Sequence, residues 1–262
     1  MPPQLLVLGL GPGDDALLTQ QVRESIASAS DAFGYFPYVA RLQGLEHLQL
    51  HASDNREELE RARNALNLAA QGRKVLMLSS GDPGVFAMAS AVFETLEQAS
   101  PEEHARWQGV DVQVQPGITA MLAAAARLGA PLGHDFCTIN LSDNLKPASI
   151  IERRIRLAAQ ADFAMAFYNP CSRSRPQGFS RALQVLQQEC EPERLICFAR
   201  NVSRPDETLQ IVRLLDAQAD MADMRTVVIV GNSQTRQVGK HVYTPRSYET
   251  SSSATSAVTD HA

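Results

Sequence analysis

Short apolar runs recur along the chain, each separated from the next by a stretch with helical periodicity, and this alternation constrains the fold more than any single motif. Leu5 to Leu8, Val75 to Leu78, Val112 to Val114, Phe163 to Phe167, Leu195 to Ala199 and Val227 to Val230 read as buried strands. Between them, Glu57 to Ala70 puts Leu59, Ala62, Leu66 and Ala69 on one helical face, and Ala120 to Leu128 is an alanine-rich helix suited to close packing. Strands alternating with helices predict an α/β protein with a largely parallel sheet.

The chain has 262 residues, and single cores stop growing at roughly 250 to 300 residues, so two lobes of ordinary size fit. Gln115-Pro116-Gly117 ends a strand just before a helix and marks the expected boundary: an N-terminal α/β domain over 1–116 and a C-terminal one over 117–240. Residues 241–262, with Ser251-Ser252-Ser253-Ala254-Thr255-Ser256, are expected to form a disordered polar tail. Hydrophobic residues at 44% and charged residues at 20% are those of a globular protein. A formal net charge of -5 argues against nucleic acid as partner, which needs a basic surface. No apolar run approaches the roughly 18 residues that span a bilayer, and no basic segment precedes an apolar one at the N-terminus, so a cytoplasmic protein without membrane contact is expected. Cys137, Cys171, Cys190 and Cys197 form no CxxC pair; they read as reduced thiols, with no metal site.

Three loops follow strand candidates. The first, Gly9-Leu10-Gly11-Pro12-Gly13-Asp14-Asp15, invites a dinucleotide reading. The spacing opposes it: a third glycine would fall at Asp14, where two adjacent carboxylates repel phosphate. The next strand candidate, Asp31 to Phe36, ends without the acid that would hold a ribose, and no phosphate-loop motif occurs. By itself this turn supports a ligand-free strand-to-helix connection as well as a binding role. In the second loop, Ser79-Ser80-Gly81-Asp82-Pro83-Gly84, Asp82 either faces a ligand or caps a helix with Pro83 in its first turn. In the third, Pro116-Gly117-Ile118-Thr119-Ala120, Thr119 either caps the following helix or meets a ligand.

Taken in order, GxGPGD, SGDPGVF and QPGITA resemble the tetrapyrrole methylase family of S-adenosylmethionine-dependent methyltransferases over about residues 4 to 235. The resemblance implies two lobes, each a mostly parallel or mixed sheet flanked by helices, with the active site in the cleft between them, and a homodimer. It implies S-adenosylmethionine held by Pro12, Ser80, Gly81, Asp82, Val85, Thr119, Ala120, Tyr168 and Asn169, with Asn201 and Gly231 completing the adenosine pocket. The first-turn glycines would let backbone come close where the macrocycle meets the methyl group. Phe136 to Asp143, Tyr168 to Pro176, Ala199 to Glu207 and Val230 to Thr235 resemble the branch that methylates carbon 17 of precorrin-3B with ring contraction to precorrin-4 in cobalamin synthesis.

That reaction needs an electron-rich ring carbon placed in line with the carbon–sulfur bond and shielded from water. Gly11, Ser142, Arg173 and Arg175 are the expected substrate contacts, the arginines as partners for the macrocycle's carboxylates. Arg200 and Arg204 are further candidates, whereas Arg153, Arg154 and Arg156 share one helix and read as a solvated face. Proton transfers during ring contraction suit a carboxylate or imidazole: Asp143, Asp14 or His134. Rival readings are a family member acting on uroporphyrinogen III, another precorrin or cobalt-factor III; a nicotinamide-dependent oxidoreductase; and a non-catalytic tetrapyrrole carrier.

Overall fold

In the computed structural model, residues 3–54, 57–172 and 174–247 are described. The chain divides into two compact units, Met1–Ala124 with Asn201–Glu207 and Ala125–Arg200 with Thr208–Ala262. The break at Gln115-Pro116-Gly117 lies ahead of this division, and no composition shift marks the return of Asn201–Glu207 to the first unit.

The first unit runs β1 (Gln4–Gly9), α1 (Gln20–Ser28), β2 (Asp31–Tyr35), α2 (Phe36–Val39), β3 (Gln49–Ser53), α3 (Glu58–Ala69), β4 (Lys74–Ser79), α4 (Met88–Glu97), α5 (Pro101–Trp107) and β5 (Asp111–Gln115), after which α6 (Ala120–Leu128) carries the chain onward. The strands form one five-stranded sheet, β3-β2-β4-β1-β5, parallel throughout. Alternation along β1 sends Leu5 and Val7 to one face and Leu6 and Leu8 to the other. Val22 and Ile26 of α1 and Val39 of α2 cover the Leu6–Leu8 face. Ala62, Leu66 and Ala69 of α3, Met88 and Val92 of α4, and Trp107 of α5 cover the other. The crossovers from β1 to β2 and from β2 to β3 thus use one face, and those from β3 to β4 and from β4 to β5 the other, as right-handed connections require. Thr19 caps α1 by accepting from the Val22 amide at 3.2 Å. One residue departs from the expected α3 stripe: Leu59, in the helix's first turn, is 39% exposed, whereas Ala62, Leu66 and Ala69 are buried.

The second unit continues with β6 (Gly129–Ala130), β7 (Phe136–Asn140), α7 (Ala148–Gln160), β8 (Ala164–Tyr168), α8 (Gly178–Glu189), β9 (Leu195–Arg200), β10 (Thr208–Arg213), β11 (Thr226–Val230), β12 (Arg236–Val238) and β13 (His241–Tyr243). Its main sheet is mixed, β10-β9-β11-β8-β7, with only β7 and β8 parallel. Ile151 and Ile155 of α7 and Phe179, Leu183 and Leu186 of α8 pack on Met165, Phe167, Phe198 and Val228. The runs expected as strands all form strands, and Ala120 to Leu128 is a helix. The polar tail does not start at residue 241. His241–Tyr243 pairs with β12 and β6, and Thr244 is buried with its hydroxyl donating to the Pro131 carbonyl at 2.6 Å, because this segment supplies the edge that β6 lacks. The serine-rich stretch from Ser251 lies outside the described residues.

Candidate functional site

β1 and β4 lie side by side, yet their outgoing connections leave to opposite faces of the sheet. Such a reversal opens a crevice at the carboxyl ends of parallel strands, where open α/β sheets bind ligands. Here the first two loops meet. The Gly11 amide donates to the Gly81 carbonyl at 3.1 Å and the Gly81 amide to the Gly11 carbonyl at 2.9 Å. Both glycines hold the left-handed region, with φ of 66° and 61°, where a side chain is strained. The third loop closes on them: a Cβ on Gly117 would lie 2.2 Å from the Gly81 carbonyl oxygen, and one on Gly9 2.6 Å from the Gly117 nitrogen. The space that a side chain would take beside Gly9 is filled by Gly117 and Gly81, that beside Gly11 by the Leu17 carbonyl, and that beside Gly13 by Arg204, so their missing side chains admit the neighbouring loops.

Asp82 joins the second and third loops. Its Oδ1 accepts from the Gly84 amide at 2.8 Å and its Oδ2 from the Gly117 amide at 3.0 Å. The helix-cap alternative is overturned, since α4 starts only at Met88 behind Ala87 and the carboxylate is engaged by loop amides. Thr119 immediately precedes α6 and is buried, with its carbonyl accepting from the Leu122 and Ala123 amides. Ser80, Val85 and Ala120 are partly exposed beside these backbones, and Pro12 is buried with its carbonyl 3.5 Å from Arg204 Nε. Asn201, at φ 49°, is buried and donates to Asp206 at 2.6 Å. Asp14 is exposed and caps the short turn Asp15–Leu17 by accepting from the Ala16 amide at 2.8 Å. Asp15 pairs with Arg41 at 2.9 Å.

At the second unit's sheet, β7 and β8 leave side by side through Asn140 and Tyr168. Asn169, at φ 52°, donates from Nδ2 to Asn140 Oδ1 at 3.1 Å, and the Ser142 amide donates to the same oxygen at 2.9 Å. Asp143 faces two guanidinium groups, Arg181 Nη2 at 2.7 Å and Arg175 Nε at 3.9 Å, so it is an ion-pair partner first. Arg173 lies outside the described residues. Gly231 is not brought to this end. β11 runs antiparallel to β8 with Val230 opposite Met165, and the Gly231 amide donates to the Leu195 carbonyl at the start of β9. Four strand steps separate Gly231 from the position facing Tyr168, roughly 13 Å. The β11 residue at the Tyr168 end is Thr226, opposite Arg200 and buried. Arg200 pairs with Asp223 at 2.9 Å, and Arg156 with Glu189. Burial pushes the Cys197 thiol up to about 12, which keeps it inert.

Two neighbours of the first-unit loops carried no motif. Tyr38, on α2, hydrogen-bonds Ser80; burial raises its hydroxyl above the ordinary range and that bond offsets part of the rise. Gln115 ends β5 directly before the third loop, with Oε1 buried and lacking a partner among the described residues. A buried polar atom left unpaired calls for a partner. Gln115 beside the Gly117–Ala120 backbone therefore fits a ligand that brings a hydrogen-bond donor, as the ammonium and adenine groups of S-adenosylmethionine do. The one available signal was a polar residue at the end of an apolar strand.

Residues 4–218 match the family of Tetrapyrrole (Corrin/Porphyrin) Methylases, and the chain belongs to that family. Within it, the chain is 49% identical over 249 residues to a precorrin-3B C(17)-methyltransferase of Sinorhizobium sp., covering 93% of this chain and 96% of the relative. A cobalt-factor III methyltransferase of Priestia megaterium is 39% identical over 250 residues, covering 95% of this chain and 46% of that longer protein. Among solved structures, that of the methyltransferase CobJ superposes with a TM-score of 0.88 at 60% identity, covering 92% of this chain and 99% of that one. A uroporphyrin-III C-methyl transferase from Thermus thermophilus shares the fold at TM-score 0.66 and 22% identity. Among the described residues no helix is long and apolar enough to cross a membrane.

Proposed function

We propose that this chain transfers the methyl group of S-adenosylmethionine to carbon 17 of precorrin-3B, with ring contraction to precorrin-4, in cobalamin biosynthesis, as a cytoplasmic homodimer. The observation that carries the reading is the junction of three loops at the reversal point between β1 and β4, held by the paired amides of Gly11 and Gly81 and by Asp82. Near-full-length similarity to a relative bearing that name supports the choice of substrate.

In this reading Ser80, Gly81, Asp82, Val85, Thr119 and Ala120 hold the cofactor, with Pro12, Tyr168, Asn169 and Asn201 as further contacts. Bound there, S-adenosylmethionine supplies an electrophilic methyl on a cationic sulfur that departs as a neutral thioether. Asp82 acts through the backbone: by fixing the Gly84 and Gly117 amides it sets the distance between the second and third loops. Preorganised loops lower the cost of ordering a ligand. No side chain need act as nucleophile; the protein's contribution is alignment and exclusion of water. Ser142 and Arg175 contact the substrate, and Asp143, held by Arg181 at 2.7 Å, is the carboxylate for proton transfer during ring contraction.

The cobalt-factor III reading stays open as the alternative because a relative of that name covers nearly the whole chain. Incubating purified protein with S-adenosylmethionine and either precorrin-3B or cobalt-factor III, then reading product mass and absorption spectrum, decides between them. The expected product is precorrin-4 from precorrin-3B. Methylation of cobalt-factor III alone selects the alternative, and no methylated product from either defeats both.

A further inference from the structure

One charged side chain in the second unit is buried without the partners it needs. Arg175 follows β8 by seven residues; its side chain is 11% exposed, and Nε and Nη1 are buried with no hydrogen-bond acceptor among the described residues. An arginine stays charged, so donors buried without a partner are costly unless an anion reaches them. The one nearby carboxylate does not fill the role. Asp143 Oδ1 is 3.9 Å from Nε, beyond hydrogen-bonding reach, and Oδ2 is engaged by Arg181 at 2.7 Å. Arg181 is in turn 3.9 Å from Glu152.

Other cations crowd the same place. Burial lowers the Lys146 ammonium below its ordinary range, and the charges of Arg154 and Arg175 lower it further, with Asp143 opposing. Lys146 lies in the connection from β7 to α7, Arg154 on α7 and Arg181 on α8. Four cations therefore stand against two carboxylates, Asp143 and Glu152, and Asp143 is already hydrogen-bonded to Arg181. The cluster sits beyond the carboxyl ends of two adjacent parallel strands, the end at which Asn140, Ser142, Tyr168 and Asn169 also lie.

We propose that Arg175 and Lys146, with the charge of Arg154 added to theirs, form a binding subsite for one carboxylate side chain of a tetrapyrrole acid, and that the Asp143–Arg181 pair flanks it. Each edge of a planar guanidinium, Nε with Nη2 or Nη1 with Nη2, takes a carboxylate through two hydrogen bonds, and each edge of Arg175 carries an unpaired donor. A ligand anion also relieves the like-charge repulsion between Lys146 and its neighbours. The subsite rests on the proposed function for the identity of the tetrapyrrole, not for the preference for a carboxylate.

Arg175→Gln and Lys146→Gln test it, with Arg153→Gln removing an exposed charge from the same helix region as control. In the methyl-transfer assay each test variant raises KM for precorrin-3B at least tenfold with kcat within twofold, while the affinity for S-adenosylhomocysteine, by calorimetry, stays as in wild type. Uroporphyrin III, an octacarboxylate, serves as a probe independent of turnover. By fluorescence titration it binds wild type and loses at least tenfold in affinity in both variants, whereas its octamethyl ester does not distinguish them. If wild type binds uroporphyrin III in this pattern but methylates neither precorrin-3B nor cobalt-factor III, the subsite stands and the proposed function falls. Unchanged KM and unchanged uroporphyrin binding in Arg175→Gln overturn the subsite. A melting temperature lowered in both variants with ligand affinity retained also overturns it, since that is what a purely structural arginine would give.

Discussion

Glycine at position 117 is required by backbone, not by ligand. A methyl group there would sit 2.2 Å from the Gly81 carbonyl and 2.7 Å from the Gly9 carbonyl, both parts of loops that are themselves hydrogen-bonded and unable to retreat. Overpacking against movable side chains costs about 1 to 3 kcal/mol; against fixed carbonyls Gly117→Ala is expected to reach at least the upper end and to abolish methyl transfer. Gly109 is the comparison, because a Cβ there meets nothing within 4 Å, so Gly109→Ala is expected to change stability by less than about 0.5 kcal/mol. Urea unfolding of both variants checks this, and equal midpoints would refute the account of the loop junction. The sequence already marked Gly9, Gly11, Gly81, Asp82 and Gly117 as unusual, since glycine and aspartate at strand ends have few uses. Their partners were hidden because loop-to-loop contact joins residues 35 or more positions apart, such as Asp82 and Gly117. The place of Gly231 was hidden for a related reason: a glycine after an apolar strand looks the same whether the strand runs parallel or antiparallel to its neighbours, and only the register of β11 against β8 and β9 separates the two ends.

At the scale of elements, the amino end of the parallel sheet is tied by one buried carboxylate. Asp31 opens β2 with its side chain fully buried, accepting from Ser30 Oγ at 2.7 Å and Arg73 Nε at 2.5 Å and lying 2.9 Å from His51 Nε2 on β3. Burial alone would raise its carboxyl, but the bonds from His51, Ser30 and Arg73 and the charge of Arg73 outweigh it and hold the group below its ordinary value of 3.8. A folded value below the unfolded one means stability that is complete above about pH 4 and drains as pH falls through the folded value. Asp31→Asn, which keeps the shape and removes the charge, is therefore expected to cost about 2 kcal/mol at pH 7. The gap to wild type should shrink below pH 4, which thermal scans from pH 3 to 8 would show; a gap constant across that range would assign the cost to packing. Periodicity could place β2 as a strand but not this tie, whose members are 20 and 42 residues from Asp31. Nor could it time the start of α4, since Pro83 offered a ready first turn and Asp82 was drawn instead to the Gly117 amide.

For the molecule as a whole, the alternation of strand and helix was legible because a parallel sheet covered on both faces needs long apolar runs, as β1 and β4 show. The excursion of Asn201–Glu207 back to the first unit was not, because it is short and polar, meets that unit through Arg204 beside Gly13 and is braced internally by Asn201 on Asp206. Membership of the tetrapyrrole methylase family makes a ligand-linked prediction possible without the labile substrate. A ligand that binds only the folded state stabilises it by RT ln(1 + [L]/Kd), about 2.7 kcal/mol at a hundredfold excess over Kd. For a chain of this size roughly 2 to 3 °C accompanies each kcal/mol, so S-adenosylhomocysteine at that excess is expected to raise the melting temperature by about 5 to 8 °C. Nicotinamide dinucleotides at the same concentration should leave it unmoved, since Asp14 and Asp15 stand at the first turn where a pyrophosphate would have to approach. Asp82→Asn replaces one accepting oxygen with an amide that cannot accept from the Gly84 or Gly117 nitrogen, so it should weaken the cofactor's effect as well as lower the starting temperature. A shift produced by the dinucleotide and not by S-adenosylhomocysteine would move the ligand of the three-loop junction out of this chemistry altogether.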